Sequence, residues 1–120
     1  MAGRAILAAG MPQGYETVSF HAQQAAEKGL KAVLVRHQVA FGKSHNLAEL
    51  LELVEPVEPG TREALASIGE LTPFAVDARY PAGLPRVDRD EAARHVALAD
   101  AALLHVRSRL ASYLDAGRPS

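Results

Sequence analysis

The chain has 120 residues, a length that fits one domain with a single hydrophobic core. Hydrophobic residues make up 48% of it and charged residues 22%, which is the composition of an ordinary globular protein. The net charge of −1 gives no overall attraction to nucleic acid, so such binding needs a local basic surface. Cysteine is absent, which excludes disulfides and thiolate metal sites and is consistent with a cytoplasmic protein.

The longest apolar run of the chain is far too short to span a bilayer, so we expect no membrane partner. Residues 2–9 have the pattern of a short helix that ends at Gly10, and Pro12 and Gly14 indicate a turn after it. We therefore expect one domain over residues 1–120, with a short first helix and turn in residues 1–14 and a frayed tail in residues 116–120.

A long second helix is predicted from about residue 15 to residue 37, because apolar and small residues recur there at spacings of three and four. This stripe consists of Val18, Ala22, Ala25, Gly29, Ala32 and Val33. A glycine inside a helix costs about 1 kcal/mol relative to alanine, so Gly29 indicates a close crossing with another helix. Glu27 and Lys31 are four residues apart, in the order that favours an ion pair.

Two shorter helical segments are predicted next. Ser44 is a suitable N-cap for the third helix. The buried residues of that helix are expected to be Leu47, Leu50, Leu51 and Val54. Thr61 is a suitable cap for the following helix, whose apolar pattern continues to about residue 80. Pro73 lies inside that pattern, so we expect a bend between Gly69 and Pro73.

The last helix is predicted to begin with a capping box formed by Asp88 and Glu91 and to end near residue 115. Its apolar seam consists of Ala92, Val96, Ala99, Leu103, Val106, Leu110 and Tyr113. No segment shows the period-two alternation of a strand. The predicted fold class is therefore all-α, an up-and-down bundle of four to five helices in which consecutive helices are mostly antiparallel.

Three segments of the sequence, taken in this order, resemble the HEPN domain (higher eukaryotes and prokaryotes nucleotide-binding). The first, FHAQQAAEKGLKAVLV, is similar to an FHxxQAxEKxLKAxL-like signature on a long second helix. The second, SHNLAELLELV, is similar to a THDL-like helix start, with Asn46 in place of Asp. The third, LTPFAVDARYP, contains an RYP-like segment that precedes the final helix.

The resemblance implies a fold and a set of partners. HEPN domains are small helical bundles that often dimerise, and the branch that this sequence resembles is paired with minimal nucleotidyltransferases. Such pairs are interpreted as toxin–antitoxin or nucleotide-handling modules. The resemblance therefore implies a homodimer, a nucleotidyltransferase partner and a nucleotide or RNA as ligand, and it implies no cofactor.

A nucleotide-binding face is predicted on the second helix. His21, Gln24, Lys28 and Lys31 follow one another at spacings of three, four and three, which places them on one side of a helix. The lysines would contact phosphate and the glutamine would donate and accept hydrogen bonds. Arg79 and Tyr80 offer a phosphate-binding fork and a stacking ring to the same groove. The alternatives are a solvated face or a dimer contact, with Arg79 at a helix end and Tyr80 filling the end of the bundle.

A ribonuclease motif provides the second hypothesis. Some HEPN branches are metal-independent ribonucleases with the pattern Arg, polar residue, four residues, His. Arg89, Asp90 and His95 fit that spacing, and a base beside a cation suits RNA cleavage. The same residues also suit the first turns of an ordinary capped helix.

The sequence thus leaves three functions open. The chain is a dimeric binding module, or an endoribonuclease that uses Arg89 and His95, or a purely structural helical domain. Small residues on the second helix, namely Ala25, Ala26 and Gly29, favour the dimer. No HExxH pattern is present, so we expect no metal site. We expect His45 to pack locally or to bond a neighbouring carbonyl group.

Overall fold

The computed structural model describes residues 12–75 and 86–116, with side chains described over 15–75 and 86–111. Regular structure in these ranges is entirely helical, which confirms the predicted all-α fold class. The α-helices are α1 (Pro12–Arg36), α2 (Leu47–Val54), α3 (Thr61–Ala64) and α4 (Arg89–Ala116), and a 3₁₀ helix spans Ala66–Phe74. Within the described ranges, no helix combines the length and the apolar character needed to cross a membrane.

The start of α1 differs from the prediction. The expected helix at residues 2–9 lies outside the described residues, but Pro12 is the first residue of α1 and does not form a turn. Proline is tolerated in the first turn of a helix because the N–H group that it lacks would have no helical partner there. The turn residues Pro12 and Gly14 therefore belong to the helix that they were expected to precede.

The end of α1 is a Schellman motif built around Gln38, whose φ angle of 58° is in the left-handed region. The Val39 N–H group donates to the Leu34 carbonyl at 2.9 Å, and the Gln38 N–H group donates to the Val35 carbonyl at 3.1 Å. These bonds satisfy two carbonyl groups at the end of the helix and turn the chain back toward its middle.

Helices α1 and α4 make the most extensive contact of the bundle. They run parallel to each other, because later residues of α1 contact later residues of α4. Near one end the Ser19 hydroxyl meets the His95 ring, and further along Gly29 faces Leu103 and Val106. A Cβ atom at Gly29 would lie 3.2 Å from Leu103 Cδ2, which is tighter than ordinary van der Waals contact. The predicted close crossing at Gly29 is confirmed.

The buried face of α1 is rotated relative to the predicted stripe. Leu30 is fully buried, whereas Ala25 is half-buried and Ala32 is exposed. The reason is that α2, the 3₁₀ helix and α4 all pack on α1, so its core side is centred between them and not on the α4 side alone. Ala26 and Gly29, which favoured a dimer contact, are covered by this chain's own helices.

The seam of α4 is shifted in a similar way. Its buried residues are Ala92, His95, Ala99, Ala102 and Val106. Val96 is exposed and Leu103 is only half-buried, so these two residues lie at the edge of the interface with α1 and not in the core. The side chain of Tyr113 lies outside the described residues.

The N-cap of α2 is Asn46 and not Ser44. The Asn46 side-chain oxygen accepts hydrogen bonds from the N–H groups of Ala48 (2.9 Å) and Glu49 (3.2 Å). Ser44 lies two residues earlier, where its hydroxyl accepts from the Asn46 N–H group and donates to the Glu49 carboxylate. Asparagine and aspartate are equally good caps, so Asn46 serves the purpose that an aspartate would serve at this position.

The predicted cap of α3 is also wrong. Gly60, with φ at 91°, is the N-cap residue, and Thr61 is the first residue of the helix. The Thr61 hydroxyl is hydrogen-bonded to His105 Nε2 on α4 at 2.9 Å. The Glu55 carboxylate takes over the capping role, because it accepts from the N–H groups of Gly60 (3.0 Å) and Arg62 (2.8 Å).

The bend expected between Gly69 and Pro73 is replaced by an earlier change of helix type. The chain leaves α3 at Leu65 and continues as a 3₁₀ helix that includes Pro73. Residues 76–80, which were expected to extend this segment, lie outside the described residues. The capping box of α4 is confirmed: the Glu91 N–H group donates to Asp88 Oδ1 at 2.8 Å, and the Asp88 N–H group donates to Glu91 Oε1 at 3.4 Å.

The connector between α1 and α2 determines the position of the candidate site. Residues 37–46 run back along α1, so that His45 reaches the Glu27 side chain in the middle of that helix. Helix α2 then leads forward again, and Glu58 beyond it meets His37 at the end of α1. Helices α1 and α2 are consecutive but run in roughly the same direction, contrary to the antiparallel arrangement expected for neighbours.

Candidate functional site

A group of polar side chains surrounds Glu27, whose residue surface is only 6% exposed. The Glu27 carboxylate accepts hydrogen bonds from Gln23 Nε2 at 2.9 Å and from Lys31 Nζ at 3.0 Å. It also meets His45 Nδ1 at 3.0 and 3.1 Å, one distance to each oxygen. Gln24 Nε2 donates to Gln23 Oε1 at 2.6 Å. We call these five residues the Glu27 cluster.

The spacing of α1 explains how the cluster forms. Gln23, Glu27 and Lys31 are four residues apart, so they lie above one another on one side of the helix. The predicted ion pair between Glu27 and Lys31 is confirmed. A buried carboxylate needs several partners to offset the loss of its hydration, and three donors are provided here.

The protonation state of Glu27 follows from these contacts. Burial raises the pKa of this carboxyl group, but the hydrogen bonds from Gln23, Lys31 and His45 and the charge of Lys31 outweigh burial and hold its pKa below the ordinary value. Glu27 is therefore ionised at neutral pH and can only accept hydrogen bonds. Because the carboxylate accepts, the nitrogen that donates in its contact with His45 is Nδ1.

The cluster is closed on one side and open on the other. Gln23 is fully buried, whereas the Lys31 side chain is 21% exposed and the His45 side chain is 62% exposed. Lys31 Nζ and His45 Nδ1 both lie 3.0 Å from Glu27 Oε2, so these two nitrogens are at most twice that distance apart. Lys31 Nζ also lies 5.3 Å from the centre of the Phe41 ring.

Three of the four predicted nucleotide-binding residues of α1 lie in the cluster or directly after Glu27, whereas His21 lines a groove between α1 and α4. His21 and Lys28 are exposed, and Gln24 and Lys31 are partly exposed. Gln24 and Lys31 already take part in the Glu27 cluster, so the polar face and the cluster are continuous. Arg79 and Tyr80, the other two predicted contacts, lie outside the described residues.

The predicted ribonuclease pair has a different geometry. His95 is only 6% exposed, its Nδ1 lies 2.7 Å from the Ser19 hydroxyl, and its ring centre lies 4.9 Å from that of Phe74. Arg89 is exposed in the first turn of α4. Six residues along a helix turn two side chains about 120° apart, so the structure does not bring Arg89 and His95 together on one face.

Burial also affects the chemistry of His95. Desolvation lowers the pKa of His95 below the ordinary histidine value of 6.5, and the nearby Glu91 and Glu70 carboxylates only partly oppose that effect. The ring is therefore kept neutral inside the bundle. Its contacts with Ser19 and Phe74 join α1, α4 and the 3₁₀ helix, which is a packing role.

Comparison with known families identifies the chain. The family model described as HEPN domain matches residues 9–108, most of the sequence. The chain belongs to the HEPN domain family. No curated protein and no solved structure matches it. In this HEPN domain, the Glu27 cluster joins the first two segments of the resemblance, since Glu27 comes from the first and His45 from the second.

A second buried carboxylate of this HEPN domain lies at the far end of α1. Glu58 is 5% exposed, and its oxygens lie 2.9 Å from His37 Nε2 and 3.4 Å from Arg109 Nη1. Arg109 also donates to the Pro59 carbonyl at 3.1 Å. These contacts hold the loop after α2 between α1 and α4. Within the described part of the chain, no group of three metal-ligating side chains occurs.

The sequence predicts only a local contact for His45. The ring instead bonds a carboxylate 18 residues earlier in the chain. The available signal was that both residues lie in the segments that resemble the HEPN domain. Their contact depends on the path of the connector, which no local pattern specifies.

Proposed function

We propose that this HEPN domain is a homodimeric binding module that holds a nucleotide beside the Glu27 cluster. The observation that carries the proposal is that two separate segments of the HEPN resemblance converge on one buried carboxylate and leave His45 and Lys31 at the open side. A ribonuclease that uses Arg89 and His95 has no comparable support, because His95 is enclosed by Ser19 and Phe74.

The charges around the open side suit a phosphate group. Lys28 and Lys31 lie on α1, and Lys43 lies on the connector that runs beside it. Among the acidic residues that follow in the chain, Glu52 is paired with Arg62 and Glu55 caps α3, while Glu49 accepts a hydrogen bond from Ser44 next to His45. The nearly neutral chain thus has a local basic surface, which phosphate binding requires.

Removal of one cation from this surface tests the nucleotide site. We expect Lys28→Ala to weaken the binding of ATP or GTP about three- to tenfold, since a hydrogen bond to a charged group contributes on the order of 1 kcal/mol or more. Isothermal titration calorimetry measures the affinity. Arg62→Ala is the matched control, because it removes one exposed positive charge that is paired with Glu52 on α2, away from the site. Absence of binding by the wild-type protein contradicts the proposal.

A groove between α1 and α4 supports dimerisation. It has a volume of about 300 Å³ and is apolar except for His21 and Asp100. The other lining residues are Val18, Ala22, Ala25, Val96, Ala99 and Leu103. One of these residues, Val96, is a large hydrophobic side chain that is exposed in the single chain. A second copy of the chain would remove this apolar surface from water.

The dimer is tested by placing a charge in the groove. We expect the wild-type protein to be a dimer at micromolar concentration and Leu103→Asp to be a monomer, because a buried unpaired carboxylate opposes association. Leu104→Asp is the control, since Leu104 is exposed on the same helix but is directed about 100° away from Leu103. Size-exclusion chromatography with light scattering gives the mass, and circular dichroism checks the fold. A wild-type monomer, or equal dissociation by both variants, contradicts the assignment of this groove.

The partner implied by the resemblance is a minimal nucleotidyltransferase, in a toxin–antitoxin-type or nucleotide-handling pair. The support for this part of the proposal is the resemblance of the three sequence segments to that branch of the family. Co-purification of the chain with a small nucleotidyltransferase encoded beside it is the expected result. An adjacent nucleotidyltransferase that fails to co-purify contradicts the pairing.

A further inference from the structure

In the neutral ring of His45, the outer nitrogen is an oriented hydrogen-bond acceptor. Glu27 is ionised and takes the proton-bearing Nδ1 of His45 with both oxygens, at 3.0 and 3.1 Å. In a neutral imidazole one nitrogen carries the proton and the other carries a lone pair, so this contact leaves the lone pair on Nε2. The side chain is 62% exposed, and Nε2 has no hydrogen-bond partner among the residues that the structure describes.

The backbone that carries the ring is held by two further contacts. The backbone carbonyl of His45 accepts a hydrogen bond from the buried Gln23 side chain at 3.3 Å. The next residue, Asn46, is fixed as the N-cap of α2 by its bonds to the first turn. An exposed side chain is ordinarily free to rotate, so three constraints on one exposed histidine amount to preorganisation for a ligand.

The neighbours of this acceptor indicate the chemistry of the ligand. The Lys31 ammonium group shares an oxygen of Glu27 with His45, and Lys28 follows Glu27 on the exposed side of α1. A lone pair close to cations fits a group that presents a hydroxyl donor next to a phosphate. In a nucleotide this combination is the ribose with its attached phosphate.

We propose that His45 Nε2 accepts a hydrogen bond from a ribose hydroxyl of the bound nucleotide, with Glu27 as the positioning residue. The domain then selects ribonucleotides over nucleotides whose sugar lacks hydroxyl groups. This inference rests on the proposed nucleotide site and specifies which part of the ligand His45 contacts. Glu27 acts through the ring and does not touch the ligand.

The test compares nucleotides with and without sugar hydroxyls. The probes are ATP and GTP, each paired with its 2′,3′-dideoxy analogue, in calorimetric titrations of the full chain. We expect the wild-type protein to bind the ribonucleotide about three- to tenfold more tightly than the analogue, as one hydrogen bond predicts. His45→Ala should bind both forms with the affinity that the wild-type protein shows for the analogue. Arg62→Ala, which changes an exposed side chain that is paired with Glu52 away from the site, should keep the preference.

The positioning role of Glu27 needs a separate measurement. Nitrogen-15 NMR of the imidazole groups should show His45 as the single Nδ1-protonated tautomer in the wild-type protein. Glu27→Gln keeps the shape of the side chain but removes the charge, so both tautomers should appear and the ribose preference should shrink. A purely structural role of Glu27 leaves the tautomer of His45 unchanged.

The outcomes separate this inference from the proposed function. If the wild-type protein binds ATP and its dideoxy analogue equally, or if His45→Ala keeps the preference, the ribose contact is wrong while the nucleotide site stands. Loss of affinity for the dideoxy analogue in His45→Ala also overturns the ribose contact, because the ring would then contact another part of the nucleotide. If the wild-type protein binds neither ATP nor GTP, the proposed function fails as well.

Discussion

Two buried glutamates of this HEPN domain show how the same residue pair serves different purposes. Glu27 and Glu58 are 6% and 5% exposed, and each lies about 3 Å from a histidine nitrogen, at 3.0 Å for Glu27 and 2.9 Å for Glu58. The histidine of the Glu58 pair, His37, is only 16% exposed, whereas His45 is 62% exposed. The Glu58–His37 pair is enclosed at the end of the bundle, whereas the Glu27–His45 pair is accessible to solvent through its histidine.

The difference arises from what surrounds each pair. Arg109 from α4 and the loop after α2 enclose the Glu58 pair, so its contacts hold three parts of the fold together. Among the residues that the structure describes, the Glu27 pair is covered on the side of α1, and the connector that carries His45 lies at the surface. A glutamate–histidine pair therefore does not by itself indicate a binding site. The difference between the two pairs is whether the second ring nitrogen of the histidine is exposed.

Replacement of each histidine by alanine should distinguish the two pairs by the loss in the free energy of unfolding. We expect His37→Ala to lower the free energy of unfolding by about 1–3 kcal/mol, because the buried Glu58 loses a partner within a packed contact. His45→Ala should lower it by less than about 1 kcal/mol, since the ring is largely exposed and Glu27 keeps Gln23 and Lys31. Urea denaturation of both variants measures the difference. Equal losses would show that the two pairs are alike.

The pH dependence of stability tests a third histidine, His95, which is buried inside the bundle. The pKa of His95 is lowered by burial, so between the ordinary value of 6.5 and its lowered value the unfolded chain binds a proton that the folded chain does not. The contribution of His95 is therefore complete above pH 6.5 and is lost as the pH falls. We expect thermal denaturation of wild type to show a loss of stability from pH 7 to pH 5, and His95→Gln should show a shallower loss. An identical slope in both proteins would mean that His95 titrates as an exposed group.

The smallest expected effect concerns Gln38, in the turn that follows His37. Gln38 has a φ angle of 58°, a conformation that is strained for residues other than glycine. We expect Gln38→Gly to raise the free energy of unfolding by about 0.5–1 kcal/mol. Gln38→Ala keeps the strain and should give no gain. A gain from alanine as large as that from glycine would point to the glutamine side chain as the source of strain.

Local features of the chain were predicted well. The capping box of Asp88 and Glu91 and the ion pair of Glu27 with Lys31 each depend on residues within one helix or at its start. The close approach at Gly29 was indicated by a glycine inside α1, although its partners lie on α4. The caps of the two shorter helices were predicted wrongly. The caps of α2 and α3 are provided by Asn46 and Glu55, and the second of these reaches forward from the preceding turn.

The sequence by itself determined the helical fold class, the HEPN resemblance and the polar face of α1, because helix periodicity and short motifs are written in neighbouring residues. Only the tertiary structure decided that His45 meets Glu27, that His95 is enclosed beside Ser19 and that Leu103 lies at the edge of a groove. The physical reason is that these contacts depend on how the connector returns along α1 and how α4 is rotated against it. Several elements packed together set that geometry, and no single segment specifies it.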